Sequence, residues 1–241
     1  MRMEADFGEY SVIPALTGVE VYAPDASSAV IIGDSTLAND IPILLAEKLQ
    51  NAGITNVGIL QQAIKGNRLL DDGAGFLGMA YGEAMVDRFE RDALDQPGVE
   101  KIFLKVGVND VVHPNCESLK GEARAVTTEE MIAGYEQLIE QAHARGIEVY
   151  LFTRTAWKGY TRNVLGSDDV QWSQEIDQMR QDINTWIRSD ANPADGYIDL
   201  DFMCTDESAT ELKSEYTTDG AHFTEQGQQT VVDAVPLEYF Q

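Results

Sequence analysis

Four short polar segments hold the residue types that acyl transfer requires. Gly33, Asp34 and Ser35 end an apolar run, and Gly66 and Asn67 stand in "AIKGNRLL". Asn109 lies in "GVND", and Asp219 and His222 are three positions apart in "TDGAHF". Ester hydrolysis needs a nucleophile, a base to take its proton, a group to orient that base, and donors for the developing oxyanion. Ser35 offers the hydroxyl, His222 the base and Asp219 the orienting carboxylate. The backbone N–H groups of Ser35 and Gly66, with the side-chain amide of Asn109, offer the oxyanion donors, and glycine at 66 permits close backbone approach. Taken singly, each piece also reads as ordinary structure. Ser35 reads as a helix cap or turn, Gly66 and Asn67 as a turn, Asn109 with Asp110 as a cap, and Asp219 with His222 as a solvated loop pair.

The elements that must position these residues alternate short apolar runs with longer amphipathic ones. Ala29 to Ile32, "NVGILQQ" from Asn56, Glu100 to Gly107, "IEVYLFT" and "GYIDLDF" from Gly196 read as five strands. Between them, Asp40 is a candidate cap for a helix with Pro42 in its first turn, Leu44, Leu45 and Leu49 on its apolar face, and Gly53 at its end. Met85, Val86, Phe89 and Leu94 space a second helix. Thr127 and Glu130 form a capping box for a third, whose face is Ile132, Tyr135, Leu138, Ile139 and Ala142, with Gly146 as its stop. Ile176, Met179, Ile183, Trp186 and Ile187 mark a fourth, and a last helix starts near Thr224. The expected fold is α/β: a three-layer α/β/α sandwich with a five-stranded, mainly parallel, doubly wound sheet. Such sheets bind ligands outside the carboxyl ends of their strands. Ser35, Gly66 and Asn109 follow strands one, two and three and so share one edge, over which the Asp219–His222 segment can fold.

Around that edge, Asp34, Asn67, Arg68, His113 and Trp157 are candidate substrate contacts. Arg68 reads equally as a brace for the Gly66 loop, His113 as a packing or turn residue, and Trp157 as a core tryptophan rather than a platform for a sugar ring. His143 shares a polar helix face with Glu136 and Glu140 and reads as a solvated surface residue.

Against 41 acids stand 17 Lys and Arg, a formal net charge of -24, which disfavours nucleic acid, anionic membranes and polyanionic substrates. No apolar run is long enough to span a bilayer, and "MRMEADFGEY" lacks the basic start and apolar stretch of an export signal. The compartment and the oligomeric state are left open. Cys116 and Cys204 read as two unpaired thiols, with a disulfide in an exported protein as the alternative. Two Cys and three His give no zinc spacing, and neither a metal nor an organic cofactor is expected.

The blocks Gly33-Asp34-Ser35, Gly66, Gly107-Val108-Asn109-Asp110 and Asp219-Gly220-Ala221-His222 resemble the four blocks of the SGNH (GDSL) hydrolase family, over residues 29 to 227. The resemblance implies catalytic roles for Ser35, Gly66, Asn109 and His222, with Asp219 as third member of the triad. "AIKGNRLL" and "VDRFERDAL" are also similar to a bacterial subgroup of carbohydrate-associated esterases in which a β-sandwich often precedes the catalytic part. On that basis residues 1–24 are expected to be a lead-in, the remnant of a junction to an upstream domain, and 25–241 the catalytic domain. "GDSTLAND" departs from the family, which commonly has Ile and Thr after the serine. The expected activity is removal of short acyl groups, acetyl above all, from a carbohydrate. A lipid or thioester acyl hydrolase, a catalytically silent carbohydrate-binding module, and a receiver with Asp34 as phosphoacceptor are the rivals.

Overall fold

The computed structural model describes residues 21–75, 78–119, 121–163 and 167–241, so residues 1–20 of the expected lead-in lie outside the described residues. The first strand, β1 (Ser27–Gly33), is followed by α1 (Ile41–Asn51), β2 (Val57–Gln61), α2 (Gly78–Tyr81) and α3 (Met85–Phe89), which continues into a π-helical turn over Glu90–Leu94. Next come β3 (Val99–Lys105), α4 (Val108–Val112), α5 (Thr128–His143) and β4 (Glu148–Phe152). A small antiparallel hairpin, β5 (Thr161–Asn163) with β6 (Ser167–Asp169), precedes α6 (Gln174–Ile187), β7 (Gly196–Ile198), α7 (Leu200–Cys204) and α8 (Glu225–Ala234).

Five strands form one sheet in the order β2-β1-β3-β4-β7, and every neighbouring pair is parallel. Alternation along the strands decides which face each side chain covers. Val30, Ile32, Ile102, Leu104, Val149 and Leu151 pack against Phe89, Met131, Tyr135, Leu138 and Ile183, so α3, α5 and α6 cover one face. Ala29, Ile31, Phe103, Tyr150 and Phe152 pack against Leu45, Leu49, Val231 and Val232, so α1 and α8 cover the other. Strands buried on both faces explain why the runs are apolar throughout rather than alternating with polar residues. This is the three-layer, doubly wound sandwich expected from the sequence.

Local chemistry agrees with the pattern at most helix ends. Thr127 and Glu130 form the reciprocal capping box at α5, Ser173 accepts from the Ile176 N–H at 3.2 Å, and Thr224 accepts from the Gly227 N–H at 3.2 Å. Two expectations fail. Asp40 does not cap α1: its backbone is already helical at φ -81°, not extended, and its own N–H donates to Gln228 Oε1 at 2.8 Å. The fifth strand is three residues long, because Asp199 accepts from the Phe202 N–H and starts α7 where "DLDF" reads as strand. Cys116 and Cys204 are buried in separate core clusters and are not joined to one another.

Candidate functional site

The strand order reverses around β1, which lies between β2 and β3, and such a switch point opens a crevice at the carboxyl end of the sheet. Ser35 leaves β1 there, Gly66 follows β2, and Asn109 sits in the first turn of α4 after β3. Across from them, the loop before α8 brings in Asp219 and His222.

The three expected triad members form one chain of hydrogen bonds. Ser35 Oγ is 2.9 Å from His222 Nε2, and His222 Nδ1 is 2.6 Å from Asp219 Oδ2. The second Asp219 oxygen accepts the backbone N–H groups of Ala221 at 2.9 Å and His222 at 2.8 Å. Burial pushes the Asp219 carboxyl up, but the His222 side chain and these two N–H groups outweigh it and hold the carboxyl well below the usual carboxylate range. An ionised Asp219 can only accept, so Nδ1 carries the imidazole proton and Nε2 is left to accept from Ser35. Tyr160 meets the His222 ring edge-on, with centroids 5.6 Å apart, which fixes the plane of the imidazole.

The three expected oxyanion donors lie on the turns that follow β1, β2 and β3. Ile64 to Asn67 is a tight turn, closed by Asn67 N–H to the Ile64 carbonyl at 3.1 Å with φ +80° at Gly66, the geometry of a type II turn that favours glycine. A Cβ on Gly66 would also lie 2.1 Å from the Tyr81 ring, so no other residue fits. Asn109 Nδ2 spends one proton on the Asn67 carbonyl at 3.0 Å and keeps the other. Among the described residues, no acceptor takes the backbone N–H of Ser35 or of Gly66.

The expected substrate contacts are mostly structural. Asn67 is fully enclosed; its amide donates to the Tyr81 and Glu83 carbonyls at 2.8 Å each, and its oxygen accepts from Arg88. Arg68 is buried against Asp71 and the Arg124 carbonyl, the brace rather than the ligand. Asp34 turns inward onto Thr36, and His113 is buried with its ring 5.2 Å from that of Tyr81. Trp157 is 2% exposed and packs with Val111, Val112 and Leu119, so it offers no sugar platform. His143 lies far from the edge and bonds Asp195 at 2.9 Å.

Three positions to which the sequence assigns no role in the site hold it together. Arg88, wholly buried, ties the carbonyls of Gln62 and Gly33 to Asn67 Oδ1. Asp110 binds the Gly66 loop from the far side, and Lys105 lies under the Ser35 turn. Arg88 stands in the quoted "VDRFERDAL", but an arginine on an amphipathic helix reads as solvated until the packing is known. Among the described residues, no group of three or more His, Cys, Asp or Glu side chains is placed to hold a metal ion, and no helix is long and apolar enough to cross a membrane.

A hydrogen-bonded Ser–His–Asp chain thus lies at the switch point of a doubly wound sheet. The chain belongs to the GDSL-like lipase/acylhydrolase family, whose model matches residues 28–230. No curated protein matches it by sequence. Among solved structures, it is similar in fold to a variant of an acetyl xylan esterase from Geobacillus stearothermophilus, at 14% identity and a TM-score of 0.65, covering 89% of this chain and 95% of that one. A second acetyl xylan esterase aligns at 20% identity and TM-score 0.62, covering 86% of this chain and 96% of that one. A GDSL-like lipase from Bacteroides thetaiotaomicron aligns at 17% identity and TM-score 0.54, covering 86% and 85%.

Proposed function

We propose that the chain is a serine esterase that removes short acyl groups, acetyl above all, from a neutral carbohydrate. The observation that carries the reading is the continuous path from Ser35 Oγ through the His222 imidazole to Asp219. In the proposed mechanism His222 Nε2 takes the Ser35 proton as Oγ attacks the ester carbonyl, and Asp219 stabilises the imidazolium. The Ser35 and Gly66 N–H groups and the Asn109 amide receive the negative oxygen, His222 returns the proton to the departing sugar hydroxyl, and water releases the acyl group by the same steps in reverse.

Two further observations support the substrate class. A cavity of about 400 Å³ adjoins Asp219, and beside Leu212 its walls carry Lys158, Ser214, Thr217, Thr218 and Glu211, hydrogen-bonding groups suited to a hydroxyl-rich leaving group. The net charge of -24 favours a neutral one over a polyanion. Two structural relatives carry acetyl xylan esterase as their name, which agrees with this choice.

Labelling with a fluorophosphonate tests the nucleophile. The wild-type chain is expected to be labelled stoichiometrically and Ser35→Ala not at all, with loss of p-nitrophenyl acetate turnover and an unchanged melting temperature. Labelling that persists in Ser35→Ala would remove Ser35 from the mechanism.

A further inference from the structure

Lys105 is the last residue of β3, and strand alternation turns it toward the same face as Phe103. In register it lies opposite Gly33, which puts it beneath the turn that carries Ser35. Its side chain is 2% exposed. A buried ammonium is costly without acceptors and a counter-charge, so its surroundings call for an explanation.

Those surroundings are the two residues that flank Ser35. Lys105 Nζ donates to Thr36 Oγ1 at 2.9 Å, and Thr36 Oγ1 donates to Asp34 Oδ1 at 2.7 Å. The same Asp34 oxygen accepts the Thr36 backbone N–H at 2.9 Å, while the Asp34 N–H donates to the Lys105 carbonyl at 3.2 Å. An ammonium has protons to give and no lone pair, so the Thr36 hydroxyl proton must point to Asp34, and the chain runs in one direction. Asp34 is also fully buried, and its other oxygen has no hydrogen-bond partner among the described residues. Burial lowers the tendency of Lys105 to stay charged; the negative Asp34 opposes that, and the nearby Arg154 adds to it.

We propose that Lys105 is a positioning residue for the nucleophile: its ammonium fixes Thr36, and through it Asp34, and so holds Ser35 Oγ in register with His222 Nε2. Lys105 touches no reacting atom. Without its charge, the buried Asp34 carboxylate loses its counter-ion and the Thr36 hydroxyl is free to rotate. The turn then relaxes, and a displacement of Ser35 by a fraction of an ångström weakens attack far more than it weakens substrate binding.

The inference rests on Ser35 being the nucleophile, and four variants of the full chain separate the two claims. Lys105→Met keeps length without charge, Thr36→Val keeps shape without the hydroxyl, Thr36→Ser keeps the hydroxyl, and the fourth combines Lys105→Met with Thr36→Val. For p-nitrophenyl acetate, Lys105→Met and Thr36→Val are each expected to lower kcat by roughly 10- to 100-fold with KM within about threefold, and fluorophosphonate labelling slows in proportion. Thr36→Ser is expected to stay within about twofold of the wild type, and the double variant to be no worse than the weaker single one, because both break one chain. A Thr36→Val enzyme with wild-type kcat overturns the proposal, even where Lys105→Met fails to fold. Losses that multiply in the double variant, or a lowered melting temperature with unchanged kcat, also overturn it. If Ser35→Ala still abolishes labelling in that event, the serine esterase reading stands and this inference alone falls.

Discussion

The carboxylate of Asp110 reaches from the first turn of α4 to the loop after β2, where its Oδ2 accepts the Leu69 backbone N–H at 2.7 Å. Its Oδ1 accepts the Leu70 N–H at 3.1 Å. The residue beside the Asn109 amide thus clamps the loop that carries Gly66, and two of the three proposed oxyanion donors are held relative to each other by one buried side chain.

Burial raises the Asp110 carboxyl to about 6, even though the Leu69 and Leu70 N–H groups and the positive charges of Arg68 and Arg154 pull it down. Because the folded value lies above that of an unfolded carboxyl, the native state binds the extra proton between about pH 4 and 6, so this group's contribution to stability falls as pH rises through that window. The shift corresponds to about 3 kcal/mol. Asp110→Asn removes the titration and one of the two acceptors. Urea unfolding at about pH 4 and pH 7 is expected to show a wild-type advantage over the variant that shrinks by up to that amount toward pH 7, and kcat of the variant is expected to be lower at both. An advantage independent of pH would mean that Asp110 does not titrate in this range.

Asn109 spends one amide proton on the Asn67 carbonyl, and the second is the proposed oxyanion donor. Asn109→Ala is expected to lower kcat by roughly 10² to 10³, about 2.7 to 4 kcal/mol, with a smaller change in KM. A change confined to KM would make Asn109 a ground-state contact.

How far the sequence reveals this site depends on what each residue's neighbours are. The apolar runs "AVII" and "IFL" identify β1 and β3 directly, since burial on both faces leaves no other reading of them. The four polar blocks then fall at strand ends, and the parallel sheet gathers those ends at one edge. Lys105 was not legible: a lysine closing a strand reads as a solvated end, and the lateral register with Gly33 is what sets it under Ser35. Arg68 and Trp157 lie in polar loops at the functional edge, where the sequence leaves a ligand and a structural reading open, and Asp71 and the cluster of Val111, Val112 and Leu119 enclose them. "GYIDLDF" has the composition of a strand, and the Asp199 cap that ends it is visible once its carboxylate meets the Phe202 N–H.

Asp219 organises its loop as well as the imidazole, because its Oδ1 accepts two backbone N–H groups. Asp219→Asn is expected to reduce kcat by roughly 10² to 10⁴, since an amide at that position stabilises the imidazole with its proton on the wrong nitrogen. The low carboxyl value has a further consequence. A depressed folded value contributes stability that is present above the unfolded carboxylate range and lost as pH falls below about 4, so the melting temperature of Asp219→Asn should fall less than that of the wild type between pH 5 and 2. Equal acid sensitivity in the two proteins would contradict an ionised, hydrogen-bonded Asp219.

Acyl-chain length is the sharpest test of the substrate class, because the two rival chemistries need different walls. A long-chain hydrolase gains about 0.8 kcal/mol for each methylene it buries, so binding an eight-carbon acyl group requires a continuous apolar groove beside the nucleophile. Several of the described side chains near Ser35 and His222 are instead polar and already engaged. Asp34, Thr36, Asn67 and Asn109 are committed to hydrogen bonds, and the cavity beside Asp219 carries the hydroxyls of Ser214, Thr217 and Thr218 with Lys158 and Glu211. An acetyl group needs little apolar contact, and a sugar hydroxyl as leaving group suits polar walls. The expected order of kcat/KM is therefore acetyl above butyryl, and both above octanoyl by at least about 10-fold in a p-nitrophenyl series. With polymeric substrates, acetate release from neutral acetylxylan is expected to exceed that from acetylated pectin at low salt. Added salt should narrow the gap, since screening removes the repulsion between the polyanion and a chain of net charge -24. A preference for octanoyl esters would move the chain to lipid hydrolysis on the same triad. Faster release from pectin at low salt would show that a local basic surface outweighs the overall field.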